Sequence, residues 1–250
     1  MKIAVCLFGQ PRFFSKGLES LKNAFSKFDV DYFTHLWFDP ENLTFDNKNS
    51  VGSIDTFTFS ENTAEEIISL INPKKYIFEK QKVFVPELDY DSRSKTHMPA
   101  KNFMSVLYST KQVGKLLSKH IEETSEKYDF VFFTRTDIFL SPNNDLYETI
   151  KSIGSDHLLT HYCQGDMWNI DHINDGFVGS DNVDFMIHYS KLFDNFKQYW
   201  LAGQYLCLHR MKFYHMNLLD NIRYKQVLRN QWWFIRNGGL VDTYGKFTKI

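Results

Sequence analysis

The sequence predicts an α/β fold with a mainly parallel central sheet flanked by helices, and three stretches carry that prediction. Ile3 to Phe8 is a continuous apolar run, Val30 to Phe38 is a second, and Phe14, Leu18, Leu21 and Phe25 recur between them at helical spacing. A strand that is apolar along its whole length is buried on both faces, and a helix between two such strands is the crossover that a parallel pair requires. At 250 residues the chain is long enough for one large core, and residues 1–250 are read as a single domain.

The later elements follow in order. Asp39 to Glu61 is polar and rich in Asn, Asp and Ser, and reads as a long surface excursion. Asn62 with Glu65 has the form of a capping box ahead of Ile67, Ile68 and Ile71, and Pro73 stops that helix. Tyr76 to Phe78 is a third strand, and the charged, proline-bearing stretch from Lys80 to Pro99 is expected to be a mobile loop. Phe103, Leu107, Thr110, Gly114, Leu117 and Ile121 form one stripe of a long helix. Tyr128 to Phe133 is the strongest strand signal and runs directly into Thr134-Arg135-Thr136-Asp137. Beyond it come a short strand at His157 to His161, another at Gly176 to Val178, a helix from Val183 to Phe196, and a helical stretch from Leu201 to His209. The aromatic tail around Trp232-Trp233-Phe234 is expected to pack back on the core.

Composition narrows the function classes. A formal net charge of -1 offers no overall field for a polyanion, which argues against nucleic acid as a partner and leaves any nucleotide to local groups. Three widely spaced cysteines, Cys6, Cys163 and Cys207, suit neither a disulfide framework nor a paired-thiolate zinc site, and point to a reducing, cytoplasmic compartment. The first apolar run is too short for a signal peptide, and no stretch reaches membrane-spanning length. Abundant Lys and Asn with only 6 Pro fit the codon bias of an AT-rich bacterium or its phage. Gly9 is not followed by the spaced glycines of a dinucleotide fold, and the chain has no glycine-lysine-serine/threonine phosphate loop. No nucleophile elbow occurs, and the nine histidines lack metal-ligand spacing, so His35 and His188 read as structural.

Three motifs remain. Phe8-Gly9-Gln10-Pro11-Arg12 closes the first strand, where glycine permits close backbone approach and Arg12 offers a forked cation for phosphate, against the plainer reading of a strand-to-helix turn. Arg135-Thr136-Asp137 follows a buried strand, at the end of a parallel sheet where ligands bind. Its carboxylate suits a divalent ion and its guanidinium a diphosphate, with an internal ion pair as the structural alternative. A strand-end carboxylate of this kind is expected to add little to core packing. Asn174-Asp175-Gly176 reads either as a common turn or as a carboxylate, Asp175, poised as general base or acceptor clamp.

Taken together, the ordered set of Ile3 to Arg12, Met104 with Tyr108-Ser109 on a helix, Tyr128-Asp129 before Arg135-Thr136-Asp137, and Asp175 to Ser180 resembles a group of bacterial and viral GT-A-type glycosyltransferases over roughly residues 1 to 210. The resemblance implies a GT-A-like, Rossmann-type sheet and transfer of a sugar from a UDP- or GDP-linked donor to a glycan or lipid-linked acceptor. It implies donor contacts from Phe8, Gly9, Gln10, Arg12, Met104, Tyr108, Arg135 and Asp137, a divalent metal (Mn or Mg) on Asp137, and Asp175 as the catalytic carboxylate. The strand-end Arg-x-Asp stands where many members carry Asp-x-Asp, and Gln204 fills a later position where a carboxylate-type residue is expected. These two departures motivate a rival reading, a catalytically weak sugar-nucleotide or glycan-binding protein on the same fold. A nucleotidyltransferase is a third reading, but such enzymes want a richer basic phosphate loop.

Overall fold

The computed structural model describes all residues except 49–53, 94–98, 143–144, 154, 162–172, 174–175, 205–206, 221, 228–231, 237–238, 242–246 and 250. From the N-terminus, β1 (Lys2–Gly9) passes through α1 (Phe14–Ala24) into β2 (Asp29–Trp37), the strand-helix-strand unit that the apolar runs predict. A hairpin of β3 (Thr44–Lys48) and β4 (Ile54–Thr58) precedes α2 (Thr63–Ile71) and β5 (Lys75–Glu79). After a single 3-10 turn at Tyr90–Arg93, α3 (Ala100–Thr124) crosses one face of the sheet to β6 (Phe130–Thr134), which is followed at once by β7 (Ile138–Leu140). Then come α4 (Leu146–Lys151), β8 (His157–His161), β9 (Phe177–Ser180), α5 (Val183–Ser190), α6 (Leu192–Leu201), α7 (Leu208–Met216) and β10 (Arg223–Val227). The chain ends in β11 (Trp232–Arg236), β12 (Gly239–Val241) and β13 (Phe247–Lys249).

The main sheet has seven strands in the order β10-β8-β9-β6-β1-β2-β5. Every pairing in it is parallel except the two made by β9, which runs antiparallel to β6 and β8. The pleat sorts the core. Ile3, Val5, Leu7, Phe130 and Phe132 point into one apolar cluster with Leu18 and Leu21 of α1, while Ala4, Cys6, Phe8, Val131 and Phe133 point into a second with Val113 and Leu117 of α3. Helices therefore cover both faces, as a parallel sheet requires. Cys6 is buried, and desolvation pushes its thiol pKa well up; Cys163 lies outside the described residues. Among the described residues, no helix is long and apolar enough to cross a membrane.

Four expectations need correction. The surface excursion holds a hairpin, because Phe45 and Phe57 face each other across it and Phe57 is buried, a pairing hidden by the polar residues around it. Helix α2 starts where its cap signal places it, but Asn62 makes no side-chain cap; instead Thr63 Oγ1 accepts from the Ser60 N–H at 3.1 Å, and Ser60 Oγ donates to Glu66 at 2.8 Å. The predicted helix across Val183 to Phe196 is two helices. Its apolar spacing is continuous, but the chain turns at Lys191 so that Met186 and Tyr189 enter the second cluster while Leu192, Phe196 and Trp200 enter a third with Phe103 and Leu107. The helical stretch expected from Leu201 instead stops. Gly203 adopts a left-handed φ of 88°, and the Gly203 and Gln204 N–H groups donate back to Trp200 and Tyr199, the paired bonds of a Schellman end.

Of the stretch expected to be a mobile loop, residues 94–98 lie outside the described residues; the part from Lys80 to Arg93 is pinned by two aromatics, Phe84 against Trp37, Tyr108 and Phe193, and Tyr90 against Phe196 and Trp200. The tail does return to the body of the protein: β11 pairs antiparallel with β7, opposing Trp232 to Leu140 and Phe234 to Ile138, in a second sheet ordered β13-β12-β11-β7.

His188 and His215 clamp α5 to α7. Their rings stack at 4.0 Å, each Nε2 donates to the other's carbonyl oxygen (3.1 and 2.8 Å), and Tyr199 donates its hydroxyl to His215 Nδ1 at 2.6 Å. Burial pushes the His215 pKa from its ordinary 6.5 down to about 4. Above pH 6.5 the ring is neutral whether folded or not; between 6.5 and about 4 the unfolded ring binds a proton that the folded ring refuses. Stability is thus expected to fall with pH across that window, by up to roughly 3 kcal/mol, with buried His35 shifting the same way. Thermal melts between pH 7 and 4.5 check this: His215→Gln, which cannot titrate, should give a shallower decline, and an unchanged slope would remove His215 as its source.

Candidate functional site

β1 and β6 run parallel with Leu7 opposite Thr134, so the segments beginning at Gly9 and Arg135 leave the sheet side by side at its carboxyl edge. Gly9 has φ 101°, a left-handed conformation that side chains with a Cβ disfavour, and it turns the chain back across the strand ends. Thr136 ties the two segments together. It is fully buried, its hydroxyl donates to the Gln10 carbonyl at 2.9 Å, and it lies 3.3 Å from that of Arg12. α1 then packs directly on this knot, where a Cβ at Gly17 would collide with the Thr136 carbonyl.

At the centre of the knot is Asp137, only 1% exposed. Arg135 grips its carboxylate with both prongs, Nε to Oδ1 at 2.8 Å and Nη2 to Oδ2 at 2.6 Å, and Arg12 Nη2 reaches Oδ2 at 3.1 Å. Planar guanidinium matched to carboxylate is the strongest common form of ion pair, and here it is shielded from solvent. The expectation that Asp137 adds little to the interior is therefore overturned: it is the shared counter-charge of two largely buried cations. Two guanidinium groups thus share this one carboxylate, at a sheet edge where ligands bind.

A second network supports the Gly9 turn from the other side. Ser109 of α3 accepts the Gly9 N–H at 2.8 Å and lies 2.8 Å from His35 Nδ1, and His35 Nε2 lies 2.8 Å from Glu79. Burial lowers the His35 pKa despite Glu79, so the ring is neutral at pH 7. Burial of Glu79 raises its carboxyl pKa, but the hydrogen bonds from His35 and Lys82 outweigh it and hold the group below its usual range. An ionised carboxylate can only accept, which assigns the ring proton to Nε2 and leaves Nδ1 an acceptor facing the Ser109 hydroxyl, which also lies within donating distance of the His35 carbonyl at 3.0 Å. His35, Ser109 and Glu79 thus fix the turn; Glu79 carries no sequence signal beyond closing a strand.

The remaining predicted residues divide. Gln10 faces this edge and donates to Gln81 at 2.9 Å. Tyr108 stacks on Trp37 at 5.5 Å and hydrogen-bonds Lys82. Met104, one turn earlier on α3, packs against the third apolar cluster. The Phe8 ring is buried in the second cluster near the buried Lys212, whose Nζ lies 5.9 Å from it, leaving only the Phe8 backbone toward the strand end. Gln204 sits in the turn after α6. Asp175 lies outside the described residues; its neighbour Gly176 accepts the Thr134 hydroxyl at 2.9 Å, bringing that part of the chain to the end of β6.

Several solved glycosyltransferases are weakly similar to this chain along most of its length. The glycosyltransferase that glycosylates the major capsid of PBCV-1 is 12% identical over 91% of this chain and 81% of its own, with a TM-score of 0.43. Galactosyltransferase LgtC, solved with donor and acceptor sugar analogues, is 12% identical over 90% and 73%, with a TM-score of 0.45. Mouse xyloside xylosyltransferase 1 is 11% identical over 90% and 84%, also at 0.45. No family model matches the sequence, and no curated protein does.

The donor set can be tested for a divalent metal. At Asp137 both carboxylate oxygens accept from guanidinium groups, so a dication would have to enter between two fixed cations; the residues as arranged do not fit one. Asp31, His120 and Glu126 also bring ligand atoms within 4.8 Å of one another, but at the opposite, amino edge of the sheet, where the Lys2 ammonium pairs with both carboxylates and Lys74 with Asp31.

Removing the shared counter-charge should be costly. Asp137→Ala is expected to lower the unfolding free energy by about 3–5 kcal/mol, the range for breaking one side of a buried ion pair. Urea titration measures it, and a loss below about 1 kcal/mol would mean that the trio behaves as a solvated surface pair.

Proposed function

We propose that the chain is a glycosyltransferase that moves a sugar from a UDP- or GDP-linked donor to a glycan or lipid-linked acceptor, and that the Arg12–Asp137–Arg135 trio receives the donor diphosphate. The observation that carries this reading is the pair of guanidinium groups held on one carboxylate beside the Gly9 turn, at the carboxyl edge of a parallel sheet. Gly9 and Gln10 would line the nucleotide and its phosphates, with Tyr108 and Met104 on the α3 side. In transfer, an acceptor hydroxyl oxygen bonds to the anomeric carbon while the bond from that carbon to the diphosphate oxygen breaks, its electron pair leaving with the diphosphate. Fixed guanidinium groups stabilise that growing charge without reorganising, the work for which a metal is otherwise used. The hydroxyl proton needs a base, and Asp175 is the candidate from the sequence.

Calorimetry tests the donor half. UDP or GDP should bind at least about tenfold more tightly than the matching nucleoside, because charge-assisted hydrogen bonds to phosphate are each worth about 1.5–3 kcal/mol. Arg135→Gln should erase that difference, and Mn2+ should change affinity by less than about threefold. Equal binding of nucleoside and diphosphate would sink the phosphate assignment; a large Mn2+ enhancement that vanishes in Asp137→Ala would return Asp137 to a metal role.

For the chemical step, Asp175→Asn should keep diphosphate affinity yet reduce turnover by about 100-fold to 10,000-fold, the usual worth of a general base. Turnover within a factor of about three of the parent would instead assign Asp175 to the turn that Asn-Asp-Gly also encodes.

A further inference from the structure

We propose that the cleft of about 470 Å3 between the first turn of α1 and the β3–β4 hairpin is a subsite for a neutral saccharide. Its lining combines two chemistries. Phe13, Phe57 and Phe59 supply apolar ring surface, and Phe13 and Phe59 are half-buried, with part of each ring open to a ligand. Around them stand the hydroxyls of Thr58, Ser60 and Thr63 and the exposed carboxylate of Glu66.

That combination selects among ligands. A purely apolar guest would strip water from the hydroxyls and the carboxylate without replacing its hydrogen bonds. A phosphate-bearing guest wants a cluster of cations, whereas the charged side chains that line this cleft among the described residues are one lysine, Lys16, and one carboxylate, Glu66. A pyranose has what the lining asks for: an apolar C–H face to lie on an aromatic ring, and hydroxyls at its rim that donate to a carboxylate and exchange hydrogen bonds with threonine and serine. A volume of a few hundred Å3 is the size of ordinary small-molecule clefts and takes one or two sugar rings.

The cleft adjoins the diphosphate trio through a single residue. Arg12 places its guanidinium 5.4 Å from the centre of the Phe57 ring while its Nη2 holds Asp137, and Phe13 meets the same ring edge-on at 5.2 Å. The hairpin that supplies Phe57 and Thr58 is a two-stranded sheet of its own, separate from the two larger sheets. Saccharide binding is independent of the proposed transfer; the assignment of this sugar as the acceptor rests on that reading.

The experiment titrates the protein with methyl glycosides of glucose, galactose, mannose and N-acetylglucosamine, and with lactose and maltotriose, following threonine methyl resonances by NMR, while UDP and GDP are titrated separately by calorimetry. At least one saccharide should bind with a millimolar or tighter Kd and shift the Thr58 and Thr63 methyls. Phe59→Ala should weaken that binding by about 2- to 10-fold, the range of an aromatic contact. Glu66→Gln, whose amide oxygen can still accept the Ser60 hydroxyl, should weaken it by a comparable factor. Neither variant should alter diphosphate affinity. No binding by any of the saccharides, or binding that both folded variants leave untouched, overturns the subsite; loss of nucleotide binding alone overturns the transfer reading and leaves the subsite standing.

Discussion

The position of β1 between β2 and β6 is the constraint on which the rest of the molecule hangs. Both neighbours are parallel to it, so its backbone is satisfied on both edges, and Ile3 to Phe8 are buried on both faces. Burial on both faces requires helices above and below, which α1 and α3 provide. Parallel pairing on both edges also brings the carboxyl ends of three strands to one side. The Gly9 turn, the Arg135 segment and the Trp37 end of β2 meet there for topological reasons, before any side chain is considered.

Within that frame the site is organised around a buried charge. Desolvating a carboxylate is expensive unless every oxygen has a partner, and Asp137 meets that demand with two guanidinium groups from different segments. The same arrangement fixes Arg135, because a bidentate grip leaves a guanidinium little freedom, and holds Arg12 against it by one contact. The Thr136 hydroxyl and the close approach of Gly17 then lock the surrounding backbone. An ion pair built this way is rigid in advance of any ligand, the condition under which electrostatic stabilisation is most effective.

α3 does more than cover the sheet. Its buried face carries Ser109 to the Gly9 N–H and Tyr108 to Trp37, linking the helix to the strand ends that the site depends on. His35 joins Ser109 to Glu79, so the turn is braced by a chain of buried polar groups from β1 to β5. Such networks are rigid when each member is satisfied, and a loss at one end is felt at the other. The aromatic pins at Phe84 and Tyr90 hold the neighbouring segment against α3 and α6 by packing alone.

Much of the architecture was legible because it rests on local pattern. Continuous apolar runs marked β1, β2 and β6, helical spacing marked α1 and α3, and the placing of Arg12 and Arg135 at strand ends followed from knowing where strands stop. The hairpin, the break at Lys191 and the antiparallel β9 escaped, since each depends on a partner distant in sequence: Phe57 on Phe45, Leu192 on Phe103, and β9 on β6 and β8. The site divides in the same way. Residue types at strand ends pointed to phosphate chemistry, but whether Asp137 would face a metal or an arginine is not a local property. Arg135 is only two residues from Asp137, but Arg12 reaches the same carboxylate because the parallel register of β1 and β6 brings the two strand ends together, and burial favours their pairing.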